Sequence, residues 1–195
     1  MRISDLPREI DKLVTKKLII DARPFIRGRL LDIGCDAKPH KDILADRVEE
    51  YIGLDIRPVS YCGNFRVDVV GDAHELPFPR KNFDTILCTQ SLMYFDNPKL
   101  AIEEMFRVLK SNGFVVATTA LTWRQVHRAE KWRFTEFGLR WLFQEAGFFI
   151  NTIRPKKGII GAYEKQLADR DEVSKWVQEL DEILILGHMV IARKP

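Results

Sequence analysis

Asp32, Asp55 and Asp72 each close a short apolar run, in "LLDIG", "YIGLD" and "VDVVGD". In an open α/β sheet, ligands bind beyond the carboxyl ends of the strands, where strand order reverses. Carboxylates recurring at successive strand ends are therefore placed to accept hydrogen bonds from a ligand's hydroxyl and amino groups. Asp32 belongs to "LLDIGCDAKPH", residues 30–40, which reads as a buried strand, a tight turn at Gly34 and then a helix. A dinucleotide loop continues G-x-G-x-x-G, because its second glycine lets the backbone approach a pyrophosphate. Here that position holds Asp36, followed by Lys38, and the pair disfavours an NAD-dependent dehydrogenase.

Asp55 follows the glycine turn at the spacing of about twenty residues where a carboxylate accepts from ribose hydroxyls in nucleotide-binding βαβ units. Its neighbour Ile56 can pack on an adenine ring. Asp72 can accept from the adenine amino group, with the backbone of Ala73 serving the ring nitrogens.

The elements that must position these groups follow from apolar periodicity. Leu6, Ile10, Leu13, Val14 and Leu18 recur at helical spacing after Ser4 and Asp5, predicting an opening amphipathic helix. Strand-like runs then alternate with helices: "RLLDIG", "YIGLDI", "FRVDVV", "FDTILCT", "GFVVATTA", "FFINTI" and "HMVIARK". Such alternation implies a mostly parallel sheet with helices on both faces. Asn97-Pro98 predicts the start of a helix that Asn112-Gly113 ends, and Thr135 the start of one that stops at Gly147. The stretch 154–184 reads as a loop followed by a helix.

The 195 residues are 46% apolar and 30% charged, sized for one domain with a substantial core, and the net charge of +3 falls short of a nucleic-acid footprint. Three cysteines, Cys35, Cys62 and Cys88, lack C-x-x-C spacing, so neither a disulfide framework nor a zinc cluster is indicated and no metal is expected. The N-terminus alternates charge with apolar residues, unlike a signal peptide or a membrane span, and a cytoplasmic location is expected. Cys35 and Cys88 are expected to pack beside the sheet, His188 to open a strand, and Glu103 and Glu104 to lie on a solvated helix face. His40 and His74 fall near the ligand loops without an assigned role.

Together, "LLDIGCDAKPH", "YIGLDI", "GDAHELPFPRKNFDTILCTQSL", "AIEEMFRVLKSNGFVVATT" and "WRFTEFGLRWLFQEAGF" resemble class I S-adenosylmethionine-dependent methyltransferases, within these the broad methyltransferase type 11 group. The resemblance spans roughly residues 29–153. It implies a Rossmann-like, doubly wound α/β fold with a seven-stranded sheet in order 3-2-1-4-5-7-6 and an antiparallel last strand. The length gives a single domain over residues 1–195, and the resemblance adds residues 1–20 as a lid helix. The cofactor contacts implied are Gly34, Asp55, Asp72, Ala73 and Gln90, to which the reading of the strand ends and the first loop adds Asp32, Asp36 and Ile56. S-adenosylmethionine carries an ammonium, a carboxylate and a sulfonium, so its net charge is positive, and a carboxylate at Asp36 attracts it where it would repel a pyrophosphate. Relatives usually have glycine at that position, and a side chain there also crowds the loop.

Methyl transfer from a sulfonium is an in-line displacement in which the enzyme aligns the nucleophile and excludes water. A base is needed only where the nucleophile loses a proton. Tyr94 stands where relatives often have histidine and is expected to line the pocket. Trp132 and Arg133 in "WRQVHRAEKWRFT" fall near the substrate opening, and His127 is the first candidate base. The expected activity is methylation of a small-molecule acceptor. The alternatives are nucleic-acid methylation, disfavoured by "TQSL" where base-amine methylases carry an N-P-P-aromatic motif, and a non-catalytic S-adenosylmethionine-binding module with a degenerate loop at Asp36. The acceptor and the oligomeric state are not legible in the sequence.

Overall fold

A computed structural model describes residues 6–56, 67–121, 130–156 and 186–195, with the side chains of residues 6–11 left undescribed. Seven strands form one sheet: β1 (Gly28–Ile33), β2 (Val48–Asp55), β3 (Val69–Val70), β4 (Phe83–Thr89), β5 (Leu109–Ala120), β6 (Phe149–Lys156) and β7 (Gly187–Arg193). Their order is β3-β2-β1-β4-β5-β7-β6, and β7 runs antiparallel to both its neighbours. The remaining pairings are parallel, so the carboxyl ends of β1, β2, β3, β4 and β5 share one rim. Strand order reverses between β1 and β4, the switch point where such sheets bind ligands.

The apolar runs are continuous because the sheet is covered on both sides, and alternate residues serve opposite cores. Leu31, Ile86, Val115 and Val190 face one core with Ile102 and Met105 of α3 (Pro98–Val108) and Leu139 and Phe143 of α4 (Glu136–Glu145). Leu30, Leu87, Val116 and Met189 face the other, with Leu18, Ile19 and Ala22 of α1 (Leu6–Ala22) and Leu44 of α2 (Lys41–Leu44). Shifting any strand by one residue would exchange the two cores, so register is firmly set.

Both long helices near the rim start as their caps predict. The Asn97 side chain accepts from the Leu100 N–H at 3.2 Å, with Pro98 in the first turn. The Thr135 hydroxyl accepts from the Gly138 N–H at 3.1 Å, and the chain leaves α4 through Gly147 at φ +96°.

Four sequence expectations are corrected. In α1, Leu13 is exposed, and the buried face is Thr15, Leu18, Ile19 and Ala22, which still recur at helical spacing. α3 ends at Val108, not at Asn112-Gly113. Leu109 is already extended and pairs with Phe83, and Asn112 at φ +62° sits in an irregularity of β5. The last carbonyls of the helix are satisfied from afar, since Lys194 Nζ donates to Phe106 O at 2.6 Å and Leu109 O at 2.8 Å. The third strand, expected over "FRVDVV", is Val69–Val70 within the described residues. Glu104 is half-buried rather than solvated, for reasons given below. The helix expected between residues 154 and 184 falls largely outside the described residues.

Candidate cofactor site

The rim begins with the turn after β1. Gly34 N–H and Cys35 N–H both donate to Leu54 O, at 2.8 and 3.2 Å, which ties the turn to β2. Gly34 has φ +72°, and a Cβ there would lie 2.6 Å from the Ser91 Cβ, so glycine is required both by backbone and by space. Ser91 follows β4, and its hydroxyl donates to Gly34 O at 3.3 Å and Thr89 O at 3.0 Å. The turn is thus held from both neighbouring strands.

Asp36 adopts φ +42° and Lys38 φ +54°. Aspartate enters this left-handed region more readily than most residues, so the loop closes without the family's glycine. The Asp36 N–H donates to Asp55 Oδ2 at 3.1 Å, and the Ile56 N–H to Asp55 Oδ1 at 2.8 Å. Two backbone donors fix the Asp55 carboxylate at the end of β2, and each oxygen retains a further lone pair for a ligand hydroxyl. Ile56 stands beside it, 61% exposed, with an apolar side chain open to a flat ring.

Beneath the loop lies a buried polar cluster absent from the sequence reading. Tyr51 Oη donates to Asp32 Oδ2 at 2.6 Å, and Asp32 Oδ1 has no hydrogen-bond partner among the described residues. Burial raises the Asp32 carboxyl to about 7, with the Tyr51 bond and nearby Lys38 pulling the other way. Lys38 pairs with Asp68, whose Oδ2 also accepts from Gly53 N–H at 2.7 Å. Burial opposes ionisation of Asp68, but the Gly53 and Lys38 donors outweigh it and hold its pKa below the usual carboxylate range. Lys38 is therefore committed to Asp68 and anchors the loop to β2. Burial pushes the Cys35 thiol up to about 12, so it packs rather than reacts.

After β3, the Asp72 Oδ1 accepts from the His74 N–H at 2.9 Å and lies 2.5 Å from His74 Nδ1. The His74 backbone donor is the main reason that Asp72 stays below its ordinary pKa, so it is an anion. Ala73 is buried. Glu104 of α3 accepts from Leu76 N–H at 2.8 Å and is gripped by Arg107, whose guanidinium also donates to Leu76 O and Phe78 O at 2.8 Å. This carboxylate, expected in solvent, holds the loop that carries Asp72.

Gln90, after β4, has φ +53°, and its Nε2 donates to Thr118 Oγ1 of β5 at 3.3 Å. The structure thus brings Asp32, Gly34, Asp36, Asp55, Ile56, Asp72, Ala73 and Gln90 to the carboxyl rim, at β1 to β4. Their carboxylates suit a cationic ligand better than a pyrophosphate.

The residues expected near the acceptor gather farther along the same rim. Tyr94 Oη lies 3.5 Å from Glu130 Oε1, and Arg133 donates to Glu130 Oε2 at 2.5 Å. Trp132 Nε1 donates to Phe95 O at 2.8 Å. Trp132, Phe134, Pro98, Trp141 and Leu142, together with Asp96, Asn97 and Lys99, line an open groove of about 340 Å³ between α3 and α4. His127 lies outside the described residues. Glu130, Tyr51 and Thr118 were missed by sequence reasoning, since their spacing is not distinctive and Tyr51 and Thr118 act only through tertiary contact, while Ser91 was placed at the end of the fourth strand without a role.

Comparison with known proteins points to the same fold. The family described as methyltransferase domain matches residues 31–117. A fatty-acid O-methyltransferase of Mycolicibacterium smegmatis is 33% identical over 101 residues, 47% of this chain and 37% of that protein. A demethylmenaquinone methyltransferase of Renibacterium salmoninarum is 32% identical over 107 residues, 52% of this chain and 45% of that protein. The chain spans less than half the length of these curated relatives. The crystal structure of an S-adenosylmethionine-dependent methyltransferase from Archaeoglobus fulgidus matches the fold with TM-score 0.69 at 20% identity, covering 94% of each chain.

Proposed function

Because residues 31–117 belong to the methyltransferase domain family of the class I, type 11 group, we propose that this protein transfers a methyl group from S-adenosylmethionine to a small, largely apolar acceptor. The observation that supports the reading is the set of strand-end residues sharing one rim, at β1 to β4, whose carboxylates and apolar surfaces suit a nucleoside carrying a sulfonium. The residues present fit that group. Asp55 has two lone pairs left for the ribose, Ile56 offers an apolar surface for the base, and Asp72 is held anionic beside Ala73. The buried Asp32 has an oxygen with no partner among the described residues and gains a counter-charge when a cation sits over the loop.

When bound, the cofactor supplies the electrophilic methyl group. This chain's residues then bind, orient and exclude water. Gly34 and Ser91 fix the turn that receives the cofactor's amino-acid end, and Gln90 borders the path between cofactor and acceptor. The acceptor reading rests on the groove of Trp132, Phe134, Trp141 and Leu142, whose lining suits an apolar body. It also rests on the relatives named for fatty-acid and menaquinone-precursor methylation. Where the nucleophile is a hydroxyl, His127 is the proposed base, and Tyr94, Trp132 and Arg133 line the approach. The first turns of the opening helix are the proposed cover, tested by deleting residues 1–11.

Calorimetric titration with S-adenosylmethionine and S-adenosylhomocysteine, against NAD as control, tests the cofactor half of the proposal. Micromolar binding of the first two without NAD supports it. Absence of binding moves the chain to a degenerate module closed by Asp36.

A further inference from the structure

His74 is the one residue of the Asp72 loop whose side chain reaches both the proposed adenine site and the helix that borders the acceptor groove. Its backbone N–H and its Nδ1 meet Asp72 Oδ1 at 2.9 and 2.5 Å. Its Nε2 accepts from the Asn97 N–H at 3.1 Å. An imidazole that accepts at Nε2 carries its proton on Nδ1, so the neutral ring donates to Asp72 and receives from Asn97. The ring also packs edge-on against Phe95, with centroids 5.7 Å apart and planes at 68°.

What lies beyond is the acceptor wall. Asn97 caps α3 by accepting from Leu100 N–H, and both Asn97 and Asp96 line the groove. The Phe95 carbonyl accepts from Trp132 Nε1, and the backbone N–H groups of Lys131 and Trp132 donate to Met93 O at 2.8 and 3.2 Å. An unbroken run of contacts therefore leads from Asp72 through one imidazole to the cap of α3 and the Trp132 indole. The other tie between this loop and α3, Glu104 with Arg107, engages Leu76 and Phe78 near the far end of the helix and leaves residues 95–97 untouched.

From this juxtaposition we infer that His74 is a positioning residue that transmits occupancy of the Asp72 site to the N-terminus of α3 and the groove wall at Trp132. The inference rests on the cofactor reading proposed above. An anionic Asp72 drawn toward an adenine amino group carries the Nδ1 donor with it, and Nε2 holds Asn97 in step. By reciprocity, an acceptor that orders residues 95–97 tightens the cofactor.

Amide hydrogen exchange on the full chain reads this directly, with S-adenosylhomocysteine as the probe. In the wild type, saturating probe slows exchange at residues 34–36 and 72–74, and also at 95–100 by roughly fivefold or more. In His74→Phe, which keeps a ring against Phe95 but has no polar atom, the slowing at 34–36 persists at saturation and that at 95–100 is lost. His74→Gln, whose amide NH2 can donate to Asp72 while its oxygen accepts from Asn97, restores it. Nitrogen-15 spectra of the wild-type imidazole show the Nδ1–H tautomer. Equal slowing at 95–100 in the wild type and His74→Phe overturns the inference, as does the opposite tautomer. If the wild type shows no change even at 34–36, the cofactor reading fails. The ligand-free comparison then decides the role of His74, since Asn97 must exchange faster in His74→Phe than in the wild type or the role is refuted.

Discussion

The Tyr51 hydroxyl donates to Asp32 Oδ2 at 2.6 Å inside the sheet, yet burial still raises that carboxyl to about 7. Between the ordinary carboxylate range and pH 7, folded Asp32 holds a proton that the unfolded chain releases. Its contribution to stability is therefore complete at low pH and declines as pH rises through that window. His40 acts in the opposite sense. Burial, with a smaller effect of Lys16, lowers it to about 4, so the folded state excludes a proton below the ordinary histidine value and gains stability from pH 4 to 6.5. Urea midpoints from pH 5 to 8 should show Asp32→Asn removing the decline toward neutral pH and His40→Gln removing the acid-side rise. The ceiling for Asp32 is about 4 kcal/mol. Parallel curves for wild type and Asp32→Asn would refute the assignment.

Asp55 accepts two backbone N–H groups and faces the proposed ribose. Asp55→Ala should weaken S-adenosylhomocysteine binding by about 1–3 kcal/mol, the cost of leaving hydroxyls without a partner. Calorimetry of the variant beside the wild type measures it, and unchanged affinity would remove Asp55 from the site. Asp36→Lys should weaken binding of S-adenosylmethionine by at least about tenfold, through reversal of a charge near its sulfonium, and binding of the net-neutral S-adenosylhomocysteine by less.

Gly34→Ala places a methyl group on the Ser91 side chain at a left-handed backbone position. We expect a stability loss of about 1–3 kcal/mol and loss of probe binding. Ser91→Gly removes the obstacle but not the backbone strain, so the double variant should recover part of the loss. Full additivity of the two losses in a denaturation cycle would show that the side chains do not meet.

Lys194 caps α3 from across the sheet, donating to the carbonyls of Phe106 and Leu109. Lys194→Met should cost about 1–2 kcal/mol by denaturant unfolding, because the stem still packs but two carbonyls lose a charged donor. A change within error would assign the cap's contribution to solvent.

The mostly parallel sheet and the rim positions were legible because they depend on local signals: alternating strands and helices, a glycine at the first turn, carboxylates at strand ends. The Asn97 and Thr135 caps were legible for the same reason. The strand order came only with the resemblance to the methyltransferase family. The end of α3 was misplaced because Asn112 does adopt a left-handed conformation, but within β5, and the true stop is sealed by Lys194, 85 residues away from Leu109. Glu104 reads as a surface residue on any helical wheel, with only its neighbour Arg107 in reach, and the return of "DAHELPF" beneath α3 adds the Leu76 N–H and buries the pair. The Tyr51–Asp32 and Lys38–Asp68 pairs are hidden for a similar reason. Their members come from separate strands and loops, and nothing in the chemistry of either residue alone announces the other.

Within the described residues, the sheet is bordered by β3, two residues long, and by β6, which carries Arg154, Pro155 and Lys156 near its end. A foreign strand seeking to extend the ladder finds too few rungs on one flank, and on the other a proline without an N–H beside the exposed Arg154. Concentrated protein should consequently resist conversion to ordered fibrils while its fold is intact, and that resistance should fail first where conditions unseat Lys38 from Asp68 and release the loop joining β1 to its outer neighbours.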